Sequence, residues 1–312
     1  MSKENIAVLM STYNGEKYIE EQIQSIISQS YVGNIDIIIR DDGSKDKTTE
    51  IVDNITKNNH SENRGIYLWK CENVGVQRSF LHLIKEVADY DIYFFCDQDD
   101  IWKEDKVERA VNMLRDCSDK YKMYCSDYTV TDMNLNVIYE KQVILDEKTF
   151  HPLSLQFYNV FPGCIMAFNS GIMNVLKDMD ISNCMMHDSY ALAVAAAIGT
   201  ICYDKEATIL HRIHGDNVVG YGHKKIKVFK WLKEKFKLLF GKDDYNVSEV
   251  AERLIEVANE HIKDEFMDDI ILLRDYKKSF GKTIKMFRHK DVKRKISRTS
   301  LSIRCKILFH IF

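Results

Sequence analysis

Three carboxylates close an apolar run in "FFCDQDDIW", residues 94–102: Asp97, Asp99 and Asp100. Charged side chains are rarely buried without a partner, and carboxylates this close repel one another. A positive species is therefore expected beside them. Clustered carboxylate oxygens suit Mg²⁺ or Mn²⁺, cations that keep part of their coordination shell for substrate phosphates. The same acids also precede a helix expected around "KEDKVERAVNMLR", and acids favour a helix N-terminus without any metal.

A second acidic turn, "RDDGSKDKT" (40–48), sets Asp41 and Asp42 where either could accept from a base N–H or a ribose hydroxyl. Gly43 suits the turn, and Asp46 is placed to cap a helix that starts near Thr48. In "STYNGEKYIEEQI", Ser11 and Thr12 end an apolar stretch and Asn14-Gly15 turns into a helix. The first backbone N–H groups of that helix are expected to be free for a ligand. "MMHDSYALAVAAAIG" opens an Ala-rich helix with His187 and Asp188, so Asp188 is either a cap or a base. In "HRIHGDN", His214 is placed to reach a metal or a diphosphate and Arg212 a diphosphate. A lone histidine is equally at home in a structural role.

The elements that must carry these residues follow from periodicity. "IAVLMS" (6–11), "IDIIIRDDGS" (35–44), "GIYLWKC" (65–71) and "DIYFFCDQDD" (91–100) read as buried strands that end in polar turns. Helical patterns separate them, so βαβ units and a parallel sheet are predicted. Ligands bind at the carboxyl ends of strands in such sheets, where both acidic turns fall. After residue 120 the pattern is mixed: "KMYCSDYTVTD", "NVIYEKQVIL", "FPGCIMAFN" and "TICYDKEATILHRIHGDN" have strand character, and 187–199 is helical. No internal repeat is visible.

The 312 residues are 45% hydrophobic and 29% charged, which is enough apolar material for a globular core. Eight cysteines show no CxxC pair and no zinc spacing. Several sit in apolar runs, so they read as small core residues of a reducing compartment. No signal peptide and no stretch of 18 apolar residues is found, and a cytoplasmic protein is expected. The net charge of −3 hides a division. Residues 1–220 hold 21 basic and 34 acidic residues, whereas 221–312 hold 23 basic and 13 acidic. The expected boundary near 220, between a catalytic domain and a basic helical region, rests on that change.

Four strings carry a resemblance when taken in order: "VLMSTYNGEKYIEEQIQSIISQS", "IIIRDDGSKDKTTEIV", "ENVGVQRSF" and "FFCDQDDIWKEDKV". Together they resemble glycosyltransferase family 2, inverting nucleotide-sugar transferases with a GT-A fold. With "HDSYALAVAAAIG" and "HRIHGDNVVG", the chain is similar to the bacterial rhamnosyltransferase-like subgroup over about residues 4–220. The resemblance implies an α/β fold, a mostly parallel Rossmann-like sheet flanked by helices, with a helical C-terminal extension. It also implies roles. Thr12, Tyr13 and Asn14 flank the nucleotide. Asp42 reads the pyrimidine with Asp41 beside it. Asn73, Gly75 and Arg78 lie near the donor, as do Asp97, Gln98 and Arg212. Asp97, Asp99 and Asp100, with His214, hold Mn²⁺ or Mg²⁺ on the diphosphate. Asp188 is the general base that takes the acceptor proton. The Q-x-x-R-W motif of processive members is missing. The implied activity is transfer of a sugar, first of all L-rhamnose from dTDP-rhamnose, onto a lipid-linked glycan of a bacterial capsule or O-antigen. A UDP-galactose or UDP-glucose donor is the alternative, and a non-catalytic nucleotide-binding or membrane-associated scaffold is the reading from another class.

Beyond 220, "HKKIKVFKWLKEKFKLLFGK" (223–242) aligns Ile226, Phe229, Leu232, Phe236 and Phe240 on one helical stripe, and 221–240 holds seven lysines against one acid. Such a helix fits the anionic inner face of a plasma membrane, or packs its stripe on the catalytic domain. Residues 247–262 read as ordinary helix packing or a homodimer contact. No nucleic-acid-binding motif accompanies the lysines.

Overall fold

The computed structural model describes residues 3–141, 150–157, 161–179, 186–214 and 246–293, together with 304, 307, 308 and 310. The first apolar run forms β1 (Ile6–Thr12), buried along almost its whole length. β1 pairs in parallel with β2 (Ile35–Asp41) on one side and β4 (Ile92–Cys96) on the other, and β2 pairs in parallel with β3 (Arg64–Lys70). The crossovers are α1 (Ile19–Ile27), α2 (Thr48–Asn58) and α3 (Val76–Glu86). Each presents an apolar stripe at helical spacing: Ile19, Ile23 and Ile26 of α1 are buried, as are Phe80, Leu83 and Ile84 of α3.

Beyond β4 the pairing alternates. β4 runs antiparallel to β8 (Met166–Asn169), and β8 antiparallel to β6 (Lys122–Thr131). β6 lies parallel to β9 (Thr200–Arg212), whose far side takes the two-residue β5 (Ile101–Trp102) in antiparallel fashion. β7 (Val137–Lys141) pairs with β6 off this path, and the order is β3-β2-β1-β4-β8-β6-β9-β5. The longer ladders are the parallel ones, as expected. α4 (Lys106–Asp116) and α6 (Ser170–Asp178) complete the elements around the sheet. Phe95 forms the middle of an aromatic cluster, with ring centroids 5.5 Å from Phe80 and 5.1 Å from Phe168.

The strand expected over 161–169 is only half strand. Gly163–Ile165 forms a 3₁₀ turn after Pro162, and the ladder begins at Met166. β5, α6 and α5 (Pro152–Phe157) were not foreseen.

By contact the chain divides into two compact units. The first holds the nine-stranded sheet with α1–α4 and most of α6. The second holds α5, α7 (His187–Ile198) and the C-terminal helices Val247–Ala258, Asp264–Asp275, Phe280–Arg288 and Lys290–Lys293. The grouping thus does not follow a single cut near 220, because α5 and α7, drawn from within 1–220, join the C-terminal helices. Within that unit, Val250, Ala251 and Leu254 are buried on a helix that packs along Asp264–Asp275. The helix packing expected for 247–262 is seen here. The basic stripe of 223–242 lies outside the described residues. Among the described residues, no helix is long and apolar enough to cross a membrane.

Candidate active site

The carboxyl ends of β1, β2 and β4 carry the polar residues picked out by the sequence, and the first two ends are laced together by hydrogen bonds. Thr12 Oγ1 donates to Asp41 Oδ2 at 3.1 Å, and the Asp42 amide donates to the Thr12 carbonyl at 2.8 Å. Asp41 also accepts from the Ser44 amide at 2.9 Å and the Ser44 hydroxyl at 2.5 Å. The turn after β1 is clasped by the turn after β2. Asn14 N–H donates to Ser44 Oγ (2.9 Å), Gly15 N–H to Thr48 Oγ1 (2.8 Å) and Glu16 N–H to Asp46 Oδ2 (3.0 Å). In return, Asn14 Oδ1 accepts from Lys45 N–H at 2.9 Å. The expectation that these backbone amides stand open to a ligand is corrected by this geometry: side chains of residues 44–48 occupy them. Asp46 performs its expected capping, since its Oδ1 accepts from the Thr48 amide at 3.0 Å.

Asp42 is buried and committed. It pairs with the buried Arg40 at 2.5 Å and accepts the amides of Val74 and Gly75 at 2.9 and 2.8 Å. Asn73 Nδ2 bonds the Asp42 carbonyl at 2.9 Å. Asp42 thus gathers Asn73 and Gly75 around itself, and Gly75, at φ 85, starts α3 in a conformation that favours glycine. Arg78 follows in the first turn of α3 and is exposed. Tyr13 is exposed too, but its backbone is held at both ends by Gln98, which accepts from Tyr13 N–H (3.0 Å) and donates to Tyr13 O (3.1 Å). A Cβ on Gly15 would fall 2.3 Å from Gln98 Oε1, so the glycine is what lets this amide approach.

The acidic cluster after β4 does not present one face. The antiparallel pairing of β5 with β9 matches Ile101 to Leu210. One step back along the ladder, Asp100 therefore meets His211: Oδ1 lies 2.9 Å from its Nδ1 and accepts the Arg212 amide at 3.2 Å. Asp99 instead meets His214, Oδ2 to Nε2, at 2.7 Å. Asp97, at the end of β4, is partly exposed. Asp100 is fully buried, and its Oδ2 has no hydrogen-bond partner of ordinary geometry among the described residues. Cys164 Sγ lies in the same cluster, its ligand atom and those of Asp100 and His211 all falling within 4.8 Å.

Electrostatics explain the arrangement. Burial and then the neighbouring Asp100 charge raise the pKa of Asp99, and His214 opposes them. Burial opposes the charge on His211, but Asp100 at hydrogen-bond distance, with Asp97 and Asp99 behind it, outweighs that and pushes its pKa up to about 9. Lys106 is wholly buried beneath, its ammonium donating to Cys164 O at 3.0 Å and lying 4.8 Å from the Trp102 ring. Part of the positive charge expected beside these carboxylates is therefore built into the protein.

Arg212, expected at a diphosphate, is buried. Its Nη2 lies 2.5 Å from Glu21 Oε2 and its guanidinium carbon 4.7 Å from the Tyr18 ring, and the same ring stacks on His214 with centroids 4.7 Å apart. Arg212 thus braces the ring that holds His214. Reading the sequence did not find His211, Tyr18 or Glu21. The sequence does hold two histidines close together, His211 and His214, after the mixed strand pattern that ends in "HRIHGDN".

Asp188 belongs to the helical unit. It sits in the first turn of α7, where its Oδ1 accepts from Ser189 N–H at 2.6 Å and Ser189 Oγ at 3.2 Å. Burial pushes the pKa of its neighbour His187 down to about 4, with Asp188 opposing. This imidazole is neutral at physiological pH.

The residues expected to hold a divalent cation, Asp97, Asp99, Asp100 and His214, are not brought together as one ligand group; among the described residues the ligand atoms that converge within 4.8 Å of one another are those of Asp100, Cys164 and His211. Carboxylate oxygens such as those of Asp97 and Asp99 are of the type that suits Mn²⁺ or Mg²⁺, whereas an imidazole suits softer transition ions.

Residues 7–177 match the Glycosyl transferase family 2 model. A dTDP-rhamnosyl transferase, RfbG of Shigella flexneri, is 31% identical over 225 residues, which are 68% of this chain and 73% of that protein. Among solved structures, S. aureus TarS 1-349 in complex with UDP-GlcNAc is similar at a TM-score of 0.57 and 14% identity, covering 97% of this chain and 81% of that one. Mannosyltransferase PcManGT from Pyrobaculum calidifontis, in complex with GDP-Man and Mn²⁺, matches at 0.55 and 14%, covering 99% and 75%. The two structures share the GT-A fold with this chain, and the sequence matches carry the assignment further: the chain belongs to glycosyl transferase family 2 and is a glycosyltransferase.

Proposed function

We propose that this chain transfers L-rhamnose from dTDP-rhamnose, with inversion, onto a lipid-linked glycan in the assembly of a bacterial surface polysaccharide. The observation that carries the transfer reading is the Asp99–His214 pair at 2.7 Å beside Asp97, at the strand end where such sheets take their ligands. The choice of donor is supported by the 31% identity to a dTDP-rhamnosyl transferase. On this reading the nucleotide lies over the ends of β1 and β2, by Tyr13 and the Asp42-gathered loop with Asn73, Gly75 and the exposed Arg78. Asp41 and Asp42 act chiefly by fixing those loops, since both carboxylates already accept several hydrogen bonds.

Asp97, Asp99 and His214 would hold Mn²⁺ or Mg²⁺, which supplies charge neutralisation for the departing diphosphate. Asp100 and Arg212 serve as positioning residues, through His211 and Tyr18. In the reaction the acceptor hydroxyl oxygen bonds to the anomeric carbon as the bond to the diphosphate breaks. The hydroxyl proton passes to the carboxylate of Asp188, the proposed general base, and the nucleoside diphosphate leaves.

A panel of nucleotide sugars tests the reading. With Mn²⁺ present, dTDP-rhamnose is expected to raise the melting temperature and to be slowly hydrolysed, and EDTA to remove both effects. Protection by UDP-galactose or UDP-glucose alone would move the donor to a UDP-hexose. No protection by any nucleotide sugar would overturn the transferase reading of this site.

A further inference from the structure

The helix Phe280–Arg288 of the helical unit has two unlike faces. Thr283 and Met286 are buried on one of them. Thr283 Oγ1 donates to Tyr276 O at 2.8 Å and lies 2.8 Å from His310 Nε2, which fixes that inner face. Gly281, Lys282, Lys285 and Arg288 are exposed, and their spacing puts them together on the other face. At the helix start, Ser279 Oγ accepts from Lys282 N–H at 3.3 Å, so Phe280 is held as the first helical residue. Phe280 is 77% exposed, more than any other large apolar side chain among the described residues.

Positive charge surrounds this ring. Residues 276–293 hold seven basic residues and one acid, Asp291, which is buried. Asp275 is buried as well, and it pairs with Lys278 at 2.7 Å and with Lys282 at 2.8 Å. Arg274 joins the same carboxylate at 2.8 Å, so three cations meet one anion and the group stays positive. One buried carboxylate thus steadies a lysine on each side of Phe280 in sequence. Lys285, Arg288 and Lys290 are exposed and enter no ion pair among the described residues. The exposed acids of the preceding helix, Asp264, Glu265 and Asp268, stand in its first half. Even Asp268 precedes Asp275 by about 10 Å of helix rise, a distance over which physiological salt screens most of its field.

We propose that this face docks on an anionic lipid bilayer. Phe280 enters the headgroup boundary, and Lys278, Lys282, Lys285, Arg288 and Lys290 meet lipid phosphates around it. A projecting ring with a basic rim matches the two layers of such a surface, anionic outside and apolar beneath. Lysine stems can lie along the apolar boundary while their ammonium groups stay with the phosphates. The same charges would attract a nucleic acid, but no nucleic-acid motif accompanies them, and the exposed Phe280 favours the bilayer. The surface lies apart from residues 223–242, and docking on it is independent of which donor the chain uses.

Cosedimentation of the full chain without any nucleotide sugar tests the docking separately from the donor panel. At low salt the chain is expected to sediment with vesicles of phosphatidylglycerol in phosphatidylcholine, to ignore pure phosphatidylcholine, and to be released as salt rises. Brief acetylation followed by peptide mass spectrometry locates the contact, and anionic vesicles should protect Lys282, Lys285 and Lys290. Lys285→Glu combined with Arg288→Glu is expected to weaken binding at least about 10-fold, and Phe280→Ser about 5-fold, with melting temperatures unchanged. No binding to anionic vesicles at low salt, binding without protection of these lysines, or undiminished binding by the double variant would overturn the proposal. Protection of the same lysines by duplex DNA but not by vesicles would overturn it too, and would make this face a nucleic-acid surface.

Discussion

The two halves of the sheet handle their polar residues in opposite ways. At the ends of β1 and β2, nearly every polar group is used by another: Asp41 by Thr12 and Ser44, Asp42 by Arg40, Val74 and Gly75, and Asn14 to Glu16 by residues 44–48. At the end of β4, charge faces charge instead. Asp99 and Asp100 meet two imidazoles delivered by β9, with a buried ammonium below. The first arrangement is a closed framework that fixes loop shape. The second is a concentration of charge in a low-dielectric setting, where each electrostatic interaction is strong.

Removing one member of the closed framework should therefore cost stability before it costs anything else. Asp42→Ala leaves the Arg40 guanidinium buried without its carboxylate and strips two amides of their acceptor. A loss of about 3–5 kcal/mol in a urea titration is expected. An unchanged midpoint would erase the contrast between the halves. The converse holds after β4. Asp99→Asn keeps the size of the side chain and a hydrogen bond to His214, so the fold should survive while sugar transfer falls by about 100-fold or more. Comparing melting curves with turnover on the preferred donor checks both parts, and near-normal turnover would sink the role of Asp99.

The contrast also explains what could be read in the sequence. The parallel half was legible because its signals are local: continuous apolar runs, helical stripes, and turn residues such as Gly43 whose chemistry acts over a few positions. The clasp between residues 13–16 and 44–48 was not, because side chains about 30 residues apart satisfy amides that local reasoning leaves open. At β4 the acidic cluster itself was plain, but its division into inward Asp100 and His214-facing Asp99 depends on β5, a strand of two residues. No periodicity signals so short a strand, and its register with β9 spans more than 100 residues. The contacts of Arg212 were hidden for a related reason, because its pairing with Glu21 joins residues 191 positions apart and its guanidinium lies over the ring of Tyr18.

A pH titration sharpens the comparison further, because the second half buries an ammonium, that of Lys106. Burial pushes Lys106 down to about 8. Its ordinary value is near 10.4. Between those values the unfolded chain holds a proton that the folded chain has released, so this residue makes folding more favourable as pH rises through the window. The slope is at most about 1.4 kcal/mol per pH unit. Other groups titrate in the same range, so the difference between wild type and Lys106→Met isolates it. Wild type should gain on the variant from pH 8 to 10, as followed by urea midpoints, and parallel curves would show that the ammonium is already neutral or solvated.

The smallest effect tests whether the closed framework sets backbone shape or merely decorates it. Gly75 sits at φ 85, and a Cβ added there would meet nothing within 4 Å. Gly75→Ala therefore adds no clash, and its whole cost is conformational, about 1–3 kcal/mol for a side chain held at φ 85 and ψ 154. That cost appears only if the two amides bound to Asp42 hold the loop in place in the folded state. In an Asp42→Asn background, where that grip is weakened, the loop can relax to negative φ, and the penalty of the alanine should shrink. Urea midpoints of the two single variants and the double variant give the coupling directly. Strict additivity would mean that the turn keeps its shape without Asp42, and that the framework at the end of β2 does not set the loop that leads into α3.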